Sequence, residues 1–178
     1  MLSSYAVYEL PVGHRKQFGK HWNRVLNGVA GNWQLAGFLQ LRGGFPLTIF
    51  APDASGTGSR GPRANCLGSA RVFGYGQNSP DGGIQWFDPS PYGAPATGTF
   101  GTCGVGTVRG PGLRTFDLSL QKAFPIDERK RFEFRAEFIN LTNTPIFYSP
   151  NTGLGPGLGT ICCSQGPRNI QFGLKLYY

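Results

Sequence analysis

The sequence predicts an all-β protein. The expected architecture is an antiparallel, up-and-down transmembrane β-barrel segment of about five strands, an incomplete barrel with long extracellular loops. Three observations predict it. The stretch Arg168–Tyr178 puts Ile170, Phe172, Leu174, Leu176 and Tyr178 on one parity and Asn169, Gln171, Gly173 and Lys175 on the other, with Tyr177 as the exception. A period of two marks a strand with one apolar and one polar face. The stretch from Arg131 sets Phe132, Phe134, Ala136 and Phe138 against Arg131, Glu133, Arg135 and Glu137. Such a strand fits between lipid and a wet lumen. A charge facing mid-bilayer costs ~2–4 kcal/mol, so the phenylalanine side is the lipid side. Finally, the connections run long (51–112), short (125–130) and long (142–167), as extracellular loops and periplasmic turns alternate in outer-membrane barrels.

Composition agrees. The 178 residues include 28 Gly and 14 Pro, with 13% aromatic residues, which suits strands separated by turn-rich loops. The hydrophobic fraction of 39% is low for a globular core but natural where half of each strand faces water. No run of ~18 apolar residues is present, which excludes a membrane-spanning helix. The net charge of +8 is spread from Arg15 to Lys175 and interleaved with acids, so it reads as a solvated surface and no nucleic-acid partner is expected. Residues 1–10 lack the basic start and apolar run of a signal peptide. An exported protein of this sequence is therefore expected to be a C-terminal piece of a longer chain, with 1–178 one barrel fragment.

The elements follow in order. Residues 3–10 form a weakly alternating strand that ends at Pro11-Val-Gly13. In 14–32, Trp22, Val25, Leu26 and Val29 have helical spacing, limited by Gly28 and Gly31. A short helix packed on its own domain is expected. A membrane-surface helix is the alternative, given His14, Arg15, Lys16, Lys20 and Arg24. This connection is long for a periplasmic turn. Residues 33–50 alternate, with Trp33, Leu35, Leu39, Leu41, Phe45, Leu47 and Ile49 on one parity, a possible bulge at Gly43-Gly44 and interrupted pairing at Pro46. Residues 51–112 carry almost no apolar periodicity and read as a loop. Residues 113–124 form a strand with Phe116, Leu118, Leu120 and Phe124 on one face. Lys122 shares that face near the strand end, where its stem could snorkel to an interface. Ile139 and Leu141 reverse the parity of the next strand, so a bulge or the strand exit is expected there.

The residues that usually carry chemistry give little. Gly56-Thr-Gly58-Ser-Arg-Gly61 matches a dinucleotide-type glycine pattern, but Pro62 and Arg63 follow it in place of a helix, so it reads as a flexible loop. Cys66, Cys103, Cys162 and Cys163 all lie in the long loops. A Cys66–Cys103 bridge, or bridges from one loop to Cys162 or Cys163 in the other, are the expected pairings, as suits an oxidising exterior. Zinc spacing is absent. His14 and His21 have no nucleophile and orienting acid to complete a catalytic set. Glu133 and Glu137, interleaved with Arg131 and Arg135, read as cross-strand ion pairing on a lumen wall. Asn140-Leu-Thr142 is taken as a chance match to a glycosylation pattern. No enzyme activity, cofactor or metal is expected.

Several stretches resemble a known family. They are Tyr8-Glu-Leu-Pro-Val-Gly13, Gly31-Asn-Trp-Gln-Leu-Ala-Gly37, Gly43-Gly-Phe-Pro-Leu-Thr48, the run from Arg109 to Lys122, and Arg131-Phe-Glu-Phe-Arg-Ala-Glu-Phe-Ile-Asn140. The close, from Gly166 to Tyr178, is the most specific. Together they resemble the C-terminal end of Oar-like TonB-dependent transporter barrels. The ending also resembles the signal read by barrel-assembly machinery, with Gln171, Gly173, Leu176 and Tyr178 in register. The resemblance implies an outer-membrane location, outer-membrane lipid and the assembly machinery as partners, and transport in the parent protein. The family's signal peptide, plug and further strands lie outside these 178 residues, so contact with the energy-coupling TonB partner is implied only through missing N-terminal parts. A secreted or surface all-β adhesin or binding module is the competing class. There the phenylalanine face would be a buried core.

Overall fold

The computed structural model describes residues 1–14, 16–80, 82–126 and 130–178. In chain order the elements are β1 (Leu2–Glu9), α1 (Arg24–Ala30), β2 (Trp33–Arg42), β3 (Pro46–Leu47), β4 (Asn65–Cys66), β5 (Ile84–Gln85), β6 (Tyr92–Gly93), β7 (Val108–Arg109), β8 (Leu113–Pro125), β9 (Arg131–Ile139), β10 (Thr160–Ile161) and β11 (Asn169–Tyr177), with one 3₁₀ turn at Gly74–Gly76. They fall into two compact units. The first comprises residues 1–42, 114–144 and 166–178, and the second residues 43–113 and 145–165.

The first unit is a five-stranded sheet of order β1-β2-β8-β9-β11. The β1–β2, β8–β9 and β9–β11 pairings are antiparallel, and the sheet of described strands is not closed into a barrel. Alternation in the sequence becomes continuous rows across strands. Leu118, Phe138 and Ile170 stand in one row, Leu120, Ala136 and Phe172 in the next, then Lys122, Phe134 and Leu174, then Phe124, Phe132 and Leu176. The opposite face carries Ser119, Glu137 and Gln171, then Gln121, Arg135 and Gly173, then Ala123, Glu133 and Lys175. A Cβ added to Gly37 would meet the Phe116 ring at 3.4 Å, which puts Gly37, Leu35 and Leu39 of β2 on the apolar side. Phe38, which breaks the parity of β2, therefore stands on the polar face opposite Tyr5 of β1.

The parity break after β9 is a strand exit. Asn140 takes a left-handed conformation (φ 53°), its amide donates to Asp117 Oδ1 at 2.7 Å, and its side chain exchanges hydrogen bonds with the Thr144 backbone. Asn140, read from the sequence only as a chance glycosylation match, is 5% exposed and fastens this exit.

The second unit changes two expectations. The stretch 33–50 is two elements, because β2 stops at Arg42 and β3 belongs to the second unit. The cause is a break at Gly43-Gly44. A Cβ on Gly44 would lie 1.7 Å from Gly110 O, so only glycine lets these two backbone segments meet. The stretches 51–112 and 142–167 are also more than loops. They contribute most of a compact body whose core holds Ile49, Ala64, Phe87, Cys103 and Ile161. Pairs of two-residue strands hold it, β3 with β7, β4 with β6 and β5 with β10. Two residues are too few to show a period, so the core is assembled from single apolar side chains on successive turns. Gly56–Gly61, expected as a flexible loop, is organised by Asp53, whose carboxylate accepts from Ser55 Oγ at 2.6 Å and from the amides of Ser55 and Gly58 at 2.9 Å.

Candidate membrane-facing wall and lumen face

The candidate site is the pair of faces of the five-stranded sheet. On the apolar face, Ile170, Phe172, Leu174 and Leu176 are 45–71% exposed. The Phe134 and Phe172 rings stack with centroids 6.2 Å apart, and Phe124 meets Phe132 at 5.9 Å. Phe132, Phe134 and Phe138 are half-buried in these rows. None of these rings enters the packed core, which lies in the other unit. A contiguous apolar face of this size in water would be an aggregation surface. Acyl chains are its natural solvent.

The opposite face is polar. Arg135 sits between Glu133 and Glu137, with N···O distances of 3.3 and 3.4 Å. The expected cross-strand pairing is corrected here, since all three residues belong to β9 at two-residue spacing. The register gives Glu137 and Glu133 the partners Gln171 and Lys175 on β11. With Arg135 almost half exposed, these ion pairs contribute at most about 1 kcal/mol and act mainly to keep the face wet. Tyr177, the exception in the pattern, has a place on this face. Its hydroxyl lies 3.4 Å from Glu133 Oε2, and the Arg131 and Lys175 cations stand 4.2 and 4.6 Å from its ring centre.

The assembly-signal residues Gln171, Gly173 and Leu176 all lie on β11, and Tyr178 follows the strand, almost fully exposed. Since β11 pairs only with β9 in the sheet order, its other edge presents a row of backbone donors and acceptors. Cys66 is joined to Cys103 across 37 residues, and the adjacent Cys162 and Cys163 are joined to each other, so the structure contains no loop-to-loop bridge. Among the described residues no cluster of His, Cys, Asp or Glu is arranged to hold a metal ion.

Lys122 departs from its expectation. It does not snorkel outward. It is 3% exposed, its Nζ donates to Gly31 O just after α1, and its charge stands 5.0 Å from the centres of both the Trp33 and Phe124 rings. The sequence flagged it as a cation on the apolar parity, but only the structure supplies its acceptor. Helix α1 forms as the spacing predicts, but its apolar stripe is not packed on its own domain. Val25, Leu26 and Val29 are exposed, and α1 has no buried residue.

A sheet with one apolar exposed face, one charged face and aromatic side chains near its strand ends is the wall of a membrane β-barrel. Comparison with known families agrees. The family model described as "outer membrane beta barrel domain" matches residues 1–171, and the chain belongs to that family. It is part of an outer-membrane β-barrel. No curated protein and no solved structure matches the chain.

Proposed function

We propose that the chain forms the C-terminal wall and outer surface of a TonB-dependent receptor-type transporter, with uptake carried out by the full-length parent. The observation that carries this reading is the second unit. The two long connections, between β2 and β8 and between β9 and β11, supply its residues 43–113 and 145–165. Together they build a disulfide-closed body with its own core. Passive diffusion needs only a lumen, whereas selective capture needs a shaped surface outside it. The likeness of the Arg109–Lys122 and Gly166–Tyr178 stretches to Oar-like transporters supports the same class. In this reading the remaining strands and the plug come from the parent, the TonB partner acts through its N-terminal parts, and the protein binds and moves a ligand without transforming it. The β11 edge, with Gln171, Gly173, Leu176 and Tyr178, serves as the strand that the assembly machinery engages by β-augmentation.

The test is uptake by cells expressing the full-length parent. Accumulation of its ligand should cease when TonB is deleted or the proton-motive force is dissipated. Uptake that persists undiminished would identify a passive channel and refute the proposal. Deleting Tyr178 in the parent should lower the amount inserted in the outer membrane, and unchanged insertion would remove the assembly role of the ending.

A further inference from the structure

The helix α1 is built inside out by the standard of a soluble protein. A surface helix normally turns its apolar stripe to the core and its polar side to water. Here the polar side is fastened down. Asn27 Oδ1 accepts from the His14 amide at 2.9 Å. Two backbone carbonyls at the end of the helix accept from side chains of the apolar sheet face, Val29 O from Trp33 Nε1 at 3.0 Å and Gly31 O from Lys122. Asn23 caps the start by accepting from the Leu26 amide at 2.7 Å. Val25, Leu26 and Val29, by contrast, are 76, 46 and 67% exposed.

We propose that α1 is an in-plane foot that lies in the headgroup–acyl boundary of the phospholipid leaflet at the short-turn end of the barrel. Its anchors fix its place. Trp33 and Lys122 belong to the apolar side of the sheet, Trp33 at the start of β2 and Lys122 near the end of β8, with the ammonium 5.0 Å from the Trp33 ring centre. The exposed valines and leucine therefore continue the apolar face that the barrel-wall reading turns to lipid. Trp33 and Phe124 mark the level where aromatic side chains line a membrane interface. Arg24, exposed in the first turn, lies next in sequence to the apolar stripe, as cations do on interfacial helices. The arrangement also explains Lys122. An ammonium on a lipid-facing parity needs an acceptor, and the carbonyl at the end of α1 provides one with a favourable helix-end dipole. The foot thus covers Lys122 while burying its own apolar stripe in lipid.

The inference rests on the barrel-wall reading, and the experiment separates the two. A nitroxide is attached through an introduced ketone side chain, which spares the cysteines, at Val25 or Val29 of the barrel assembled in phospholipid vesicles. Reference labels go at Asn23, Gln171 and Phe172. The ratio of collisions with oxygen to collisions with a water-soluble nickel chelate should be several-fold higher at Val25 and Val29 than at Asn23. A ratio equal to that at Asn23 would place the helix in water and overturn the proposal. Labels shielded from both oxygen and nickel would indicate a second copy or another protein on this face, and would overturn it as well. If Phe172 proved nickel-accessible, the barrel wall itself would be wrong. If Phe172 reported lipid and the helix labels did not, the foot alone would be refuted.

Discussion

Replacing Phe172 by arginine tests the assignment of faces with the fewest side effects. Phe172 is 71% exposed, and its ring stacks on Phe134. In water Phe172→Arg would cost little, because exposed substitutions away from special features stay within about 0.5 kcal/mol. In lipid the outcome differs. At ~3.4 Å per residue and a tilt of ~40°, the nine residues of β11 cover roughly 20–25 Å of the membrane normal, close to the apolar belt of a barrel. Gly173 is the midpoint of Asn169–Tyr177, so Phe172 lies one residue from the midplane. The full mid-bilayer cost of ~2–4 kcal/mol applies there. That is about a 30- to 700-fold change in the folding equilibrium. The control is Gln171→Arg on the other face, directly across from Glu137, where an added cation is worth about 0–1 kcal/mol of stabilisation. Urea titration of the barrel in phospholipid vesicles, read by tryptophan emission, gives both numbers. Equal effects at the two positions, or a Phe172→Arg cost below about 0.5 kcal/mol, would refute the lipid assignment.

Two further outcomes concern the second unit. Closing 37 residues with Cys66–Cys103 restricts the unfolded chain by about 4 kcal/mol. The double change Cys66→Ala/Cys103→Ala should therefore speed hydrogen exchange at the Ala64 amide, which donates to Ile49 O within that core, by roughly 30-fold or more. Unchanged exchange would show that the bridge is ornamental. For pH, the hydrogen bond from Ser55 Oγ to Asp53, helped by the Ser55 amide, holds the Asp53 carboxyl below its usual range. A depressed folded-state value stabilises the turn above the unfolded value, and that stabilisation is lost as pH falls through the folded one. Chemical shifts of the Ser55 and Gly58 amides should stay native at pH ~4 and change only at lower pH, and a midpoint at or above the ordinary aspartate value near ~3.9 would contradict the hydrogen-bonded geometry.

The strands were legible because a period of two survives in any register. Leu118, Phe138 and Ile170 share a face because a one-residue slip of β8, β9 or β11 would set an apolar row against a charged one. The second unit was not legible, for a matching physical reason. Ile49, Phe87 and Ile161 reach their core from strands of two residues or from turns, so neighbouring sequence positions carry no repeat. The close approach of Gly44 to Gly110 depends on a partner 66 positions away, and a glycine pair reads alike whether it marks a bulge or a break.

Lys122 and α1 show a different limit, and together they suggest how such a wall tolerates its exceptions. Parity states which face a side chain takes and says nothing of what covers it. Lys122 obeyed its parity, and the missing partner was a carbonyl at position 31, supplied by a helix that looked from its own spacing like an ordinary packed one. The two anomalies have one cause. A helix whose Asn27 is tied to the His14 amide and whose final carbonyls accept from Trp33 and Lys122 turns Val25, Leu26 and Val29 outward. In a soluble domain that exchange would be unfavourable twice, once for the buried ammonium and once for the exposed valines. Beside a bilayer it is favourable twice, because the ammonium leaves the lipid face and the valines enter it.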